Sequence, residues 1–383
     1  MREDFFLPEG VYLDSACMSL RPQQVLAAMQ TYEETLGSCA GRSTHKLAEE
    51  VSTQITTARN LTKKFFSASR KQSVVFTKNA SEALNVVANA IPLSKEDVII
   101  TSVKEHNSNH LPWLRRAARV GCTHELLPAN PDIDVDTLEE LLIKYHGRVK
   151  VVSLVHVSNV DGSVLDVKRV RKLTKKHNAL FVLDACQSAG HIDVDASLAD
   201  AVAFSSHKML GPSLGVLIAN TSLLEAADPL LIGGGSVVSA SATAYELAGV
   251  PERFEAGLQD YAAILGFVEA MRYLKKYNVK NVHTHTQELV NNVQAAFSDD
   301  SRINVFGQGS ICCFEVPNVT SQEIGLLLSE QGVFVRAGQH CAHTYFSYIG
   351  KEGVVRASFH LYNNQADADK LIAAIKELLE VVC

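Results

Sequence analysis

Two short apolar runs, residues 180–183 and 201–204, constrain this chain more than any other feature. Each is bounded by small and polar residues and reads as a buried strand. The first ends in Asp184, with Gln187 shortly after. The second ends in Ser205-Ser206-His207-Lys208, with Gly211-Pro212 beyond. From residue 74 to 218, strand-like runs alternate with helical ones, which implies a largely parallel sheet with helices on both faces. Open sheets of this kind bind ligands at the C-terminal ends of their strands. Both polar clusters fall at such ends.

An acid on one strand end and a lysine on the next suit pyridoxal phosphate (PLP). The lysine forms the Schiff base, and the acid keeps the pyridinium nitrogen protonated so that the ring can act as an electron sink. Taken singly, Lys208 reads as a surface lysine and Asp184 as a helix cap. The Ser and His before the lysine and the Gly-Pro after it favour the cofactor.

Composition excludes several other roles. Charged residues are 20% and apolar residues 46% of 383, ordinary for a globular chain with room for two domains. Net charge is −6, and no basic block suggests nucleic acid or an anionic membrane. No apolar stretch approaches a membrane span, and the first residues lack a signal-peptide core. The eight cysteines form no C-x-x-C pattern. Reduced thiols in the cytoplasm are the expectation, which leaves a cysteine free for chemistry.

The segment 181–217 resembles the cofactor-lysine region of the class V aminotransferase family, among the fold type I PLP enzymes. The resemblance implies an α/β fold: a large domain with a mostly parallel sheet flanked by helices, plus a small C-terminal α/β domain. We expect an N-terminal segment at 1–20 near the active site, the large domain at 21–260 and the small one at 261–383. Lys208 is then the Schiff-base lysine. Asp184, Gln187, Ser205 and His207 are cofactor contacts.

Other segments fit the same family. Residues 79–85, N-A-S-E-A-L-N, open a helix whose N-terminus is a ready phosphate site; an ordinary capping box reads the same way. The family usually has two Thr here. Ser81 supplies a hydroxyl and Ala80 does not. E-H-N-S-N-H-L-P-W matches the family's E-H-x-x-N-x-x-P-W, which makes His106 the ring that stacks on the cofactor and serves as acid or base. Asn159, in S-N-V-D-G, falls near the cofactor's phenolic oxygen and the substrate carboxylate. His45, in an R-x-x-H segment that includes Arg42, is a candidate substrate contact. R-F-E-A-G at 253–257 matches the family closely, but Leu258 stands where a Thr usually reaches the partner subunit's cofactor phosphate.

R-A-G-Q-H-C-A at 336–342 narrows the chemistry. It is similar to R-x-G-H-H-C-A of the group II, Suf-type cysteine desulfurases, with Gln339 for the first His. Cys341 is then the nucleophile that takes sulfur from L-cysteine, and Arg356 the clamp on the substrate carboxylate. The alternative for Cys341 is a small buried thiol; the other seven cysteines read as inert. The resemblance also implies a homodimer and a sulfur-acceptor protein, with sulfur destined for iron–sulfur cluster assembly. Selenocysteine lyase, cystine C–S lyase and a plain class V aminotransferase are the rival activities. Ala80, Leu258 and Gln339 support a non-enzymatic, partner-binding paralogue; Lys208, Asp184, His106 and Cys341 count against it.

Overall fold

The computed structural model describes residues 1–41 and 43–382, so Arg42 of the R-x-x-H segment lies outside the described residues. A seven-stranded sheet runs in the order Gln72–Thr77, Gly215–Asn220, Ala201–Ser205, Leu180–Asp184, Val149–Val155, Val98–Ser102, Thr123–Leu127. Only Gly215–Asn220 is antiparallel to its neighbours. The other contacts are parallel. The mostly parallel sheet expected from the alternation is therefore present, with one strand reversed.

The central strands are buried on both faces, which is why they read as continuous apolar runs rather than alternating ones. Side chains still alternate along each strand. Phe181, Leu183, Val202 and Phe204 pack into one core layer. Val182, Ala201, Ala203 and Leu217 pack into the opposite one, against the helix Ala80–Ala90 and Trp113. The helix Tyr261–Tyr277 belongs to the first layer: Phe267, Met271 and Leu274 share its core, and the helix packs against Gln23–Thr31 and Lys46–Phe65. Glu255 of the R-F-E-A-G segment ties these layers together. It pairs with Arg59 at 2.6 Å and accepts the Phe76 N–H at 2.7 Å.

A second core begins at Leu289 and surrounds a four-stranded antiparallel sheet, ordered Asn304–Phe306, Ile311–Glu315, Val354–Ser358, Arg336–Gly338. The N-terminal segment stitches the two units together. Val11–Tyr12 pairs in parallel with Val333–Phe334, and Leu13 is buried in the smaller core. Ala16 carbonyl then accepts from Gln187 Nε2 at 2.8 Å on the large unit. A short helix, His343–Ile349, follows the Cys341 loop directly. Its two turns are too brief to show a helical period in the sequence. Among the described residues no helix is long and apolar enough to cross a membrane.

Candidate active site

The C-terminal ends of the central strands, the N-terminal segment and the small sheet enclose a cavity of about 250 Å³. Lys208, Asp184, Gln187, His106, Ser205, His207, Ala80, Ser81, Asn159, Arg356 and Cys341 all line it. Residues between positions 80 and 208 thus meet Cys341 and Arg356 near the end of the chain. His45 does not join them. It is exposed and N-caps the helix Lys46–Phe65, its Nδ1 accepting from Ala48 N at 3.3 Å. Leu258 is 72% exposed, away from this cavity. A larger cavity, about 450 Å³, lies between the helices Lys46–Phe65 and Tyr261–Tyr277 and contains none of the predicted site residues.

Lys208 closes a tight 3-10 turn, Ser206–Lys208, at the end of its strand. The turn is braced from outside: Ser19 N and Oγ both donate to the His207 carbonyl, and Leu210 N donates to Ser19 Oγ. Asp184 is buried, accepts from Cys186 N at 2.9 Å, and burial pushes its carboxyl above the usual range. A buried carboxylate in this state calls for a cationic partner. The protonated ring nitrogen of PLP is such a group. The helix Ala80–Ala90 opens onto the same cavity with Asn79 as its cap. Ser205 Oγ accepts from Ala80 N at 2.9 Å, and Ser81 Oγ pairs with Ser108 Oγ at 2.6 Å. Cap and cradle are thus one structure, and the donor set fits PLP's phosphate.

His106 is held as a neutral ring. Its Nδ1 accepts from Ser108 N at 3.0 Å, and burial, helped by Lys208 and the nearby arginines, pulls its pKa down to about 3. The rest of its motif is framework. Buried Glu105 accepts from Ser102 Oγ and Asn109 Nδ2, both at 2.6 Å. Asn109 Oδ1 accepts from Ser153 Oγ and Trp113 Nε1.

The small unit supplies the remaining wall. Arg356 is 2% exposed; its Nη1 donates to the Asn159 carbonyl at 2.8 Å and its Nη2 to Asp14 at 3.3 Å. Arg356 Nε and Asn159 Oδ1 are buried without partners, and both residues line the cavity, offering a donor and an acceptor suited to an amino acid's carboxylate and amine. Asn159 Nδ2 donates to the His340 carbonyl at 2.7 Å, and Asn107 N to the Cys341 carbonyl at 2.7 Å. These bonds hold His340 and Cys341 at φ +50° and +57°. Two consecutive non-glycine residues in the left-handed region are strained, a state that persists only where surroundings enforce it. Cys341 is half-buried, not the closed-in thiol of the alternative reading. Cys17, Cys186 and Ser108 also line the cavity and escaped sequence reasoning.

The histidines around the cavity set the acid response. Burial holds His207 and His191 at about 4 and His340 at about 2, with His106 at about 3. Each is neutral when folded and gains a proton in the unfolded chain below about 6.5. The unfolded state then binds more protons, so this stability is lost as pH falls towards the folded values. Glu105 has the opposite sign. Burial raises it to about 8, so its contribution is lost as pH rises from about 4.5 to 8. The apoprotein's urea midpoint should rise from pH 5 to a maximum near neutrality, then fall towards pH 8.5. A midpoint unchanged between pH 5 and 7 contradicts this assignment.

The aminotransferase class-V family model matches residues 11–371. The chain is 36% identical to "probable cysteine desulfurase 2" of Mycobacterium leprae, over 96% of this chain and 91% of the relative. It is 32% identical to a "probable cysteine desulfurase" of Pyrococcus abyssi, over 97% of this chain and 95% of that one. The crystal structure of the Escherichia coli cysteine desulfurase CsdA superposes with a TM-score of 0.92 at 31% identity, covering 100% of this chain and 98% of CsdA.

Proposed function

The chain belongs to the class-V aminotransferase family, and from that premise we propose a PLP-dependent cysteine desulfurase of the group II, Suf type. It converts L-cysteine to L-alanine and keeps the sulfur as a persulfide on Cys341. The supporting observation is that Lys208, Asp184, Arg356 and Cys341 line one cavity. The short connection from the strand Arg336–Gly338 through Cys341 to the helix His343–Ile349 favours group II, whose segment it resembles.

PLP, when bound, supplies the electron sink that lets the bond between substrate sulfur and Cβ break heterolytically. Lys208 anchors the cofactor and moves the proton at the substrate Cα. Asp184 holds the ring nitrogen protonated, and neutral His106 presents a flat face to the ring. Ser81, Ser205 and the N-terminus of Ala80–Ala90 hold the phosphate. Gln187 and His207 complete the cofactor wall. Arg356 and Asn159 hold the substrate carboxylate and fix its orientation. The Cys341 thiolate attacks the substrate sulfur, the S–Cβ bond breaks, and Cβ is protonated to give alanine. An acceptor protein then collects the sulfur. Exposed Leu230, Leu231, Ile232, Val238 and Leu258 support a homodimer interface.

Incubation with PLP and L-cysteine, with alanine assayed and peptides mass-mapped, tests the reading. Alanine and extra sulfur on the Cys341 peptide are expected. Pyruvate with ammonia would point to a C–S lyase, and amino transfer to a keto acid to an aminotransferase. Faster turnover of selenocysteine than cysteine would point to a selenocysteine lyase.

A further inference from the structure

The cavity holds a second thiol placed for chemistry. Cys17, like Cys341, is half-buried and lines the cavity. The contrast with the core cysteines is plain: Cys312 and Cys313 are fully buried, and Cys313 Sγ donates to the Val160 carbonyl. Arg336 Nη1 donates to Cys17 Sγ at 2.6 Å, so a guanidinium is in place to hold negative charge on that sulfur. Arg336 also lines the cavity and starts the strand that leads into the Cys341 turn. The backbone around Cys17 is tied down on both sides. Cys17 N donates to Asp14 O, Ala16 N to Ser358 Oγ, and Ala16 O accepts from Gln187. A thiol on a segment fastened this way is presented to the cavity rather than left free on a loose terminus.

We propose that Cys17 receives the transferable sulfur from Cys341 inside the cavity, so that the protein stores two sulfurs. This rests on the reading that Cys341 carries the persulfide. The Cys17 thiolate attacks the terminal sulfur of the Cys341 persulfide. A new S–S bond forms at Cys17, the old one breaks, and Cys341 leaves as a thiolate, while the terminal sulfur keeps its proton. Electrons and atoms balance as an ordinary thiol–disulfide type exchange, with no oxidant or reductant consumed. Arg336 stabilises the charge before and after transfer. Cys341 is thereby freed for another cysteine before any acceptor arrives.

The test uses the PLP-loaded protein with excess L-cysteine, without reductant or acceptor, quenched with iodoacetamide and cut with trypsin. Cleavage after Arg2, Arg42, Arg336 and Lys351 puts the two thiols on separate peptides, and fragment-ion sequencing of the first distinguishes Cys17 from Cys39, which shares it. Extra sulfur is expected on both Cys17 and Cys341, with about two alanines formed per protomer in the initial burst. C17S, and C17A as a second variant, should form about one, with all the sulfur on Cys341. C341S should load neither thiol. Alanine formation with sulfur on Cys341 alone in the unmodified protein overturns the relay and leaves the desulfurase reading intact. Sulfur on Cys17 in C341S overturns it too, because Cys17 would then be attacking substrate itself. A Cys17–Cys341 disulfide with released sulfide means attack on the inner sulfur, and also rules out storage. Absence of both alanine and extra sulfur sinks the desulfurase reading and the relay with it.

Discussion

Cys341→Ala should yield a protein that takes up PLP with its visible absorption intact and forms no persulfide from L-cysteine. The cofactor wall does not depend on this thiol: Asp184, Ser205, Ala80 and the Lys208 turn are held by bonds of their own. The turn holding Cys341 is fixed through backbone atoms, by Asn107 N to its carbonyl and by Asn159 to the carbonyl before it. Alanine loses only the sulfur, and it accepts the left-handed conformation no worse than cysteine does. Loss of the attacking nucleophile should lower alanine formation on the order of 10⁴-fold or more. The measurement is the alanine rate together with mass-mapping of the peptides. Undiminished sulfide release in this variant would mean that the substrate sulfur leaves without passing through Cys341, and the chemistry would be that of another lyase.

The strand ends were legible in the sequence because a doubly buried strand writes itself as an apolar run and stops where polar residues are needed. That single rule located Asp184 and Lys208. Motif matching located His106, Asn159 and Arg356, but did not separate contact from framework: in E-H-N-S-N-H-L-P-W, Glu105, Asn109 and Trp113 bond to one another rather than to a ligand. His45 caps the helix Lys46–Phe65 and lies outside this chain's cavity, whereas His106 caps its own helix and lines it, so capping and site position are not told apart by the motif. Cys17 was illegible for a physical reason. Its place depends on a two-residue parallel pairing of Val11–Tyr12 with Val333–Phe334 and on Arg336, 319 residues away. A pairing that short has no periodicity to detect, and contacts of such range leave no local trace. The helix Tyr261–Tyr277 has a clear helical period, but periodicity says which face is buried, not which core receives it. Its apolar face joins the large sheet's layer.

Lys208→Ala should lose the covalent cofactor link and slow alanine formation on the order of 10⁴-fold or more, while leaving the fold intact. The backbone here is over-determined without the side chain. Met209 N donates to Ser206 O, Leu210 N to Ser19 Oγ, and Gly211 sits where a Cβ would lie 1.8 Å from Ser206 Oγ. Removing the amine therefore changes charge and chemistry, not the turn. Borohydride reduction followed by peptide mapping should find the pyridoxyl group on Lys208 in the unmodified protein and on no lysine in the variant. A small exogenous amine supplies a mobile base and should restore part of the proton transfer at Cα, a rescue that a merely structural lysine would not show. There is also an electrostatic signature. Lys208 is, after burial, the largest influence depressing His106, so its loss should let that imidazole titrate at higher pH. Burial still opposes the charged ring, so the shift stops short of the free value. An unchanged His106 titration, or a pyridoxyl group found on another lysine, would move the anchoring role away from the end of the strand Ala201–Ser205.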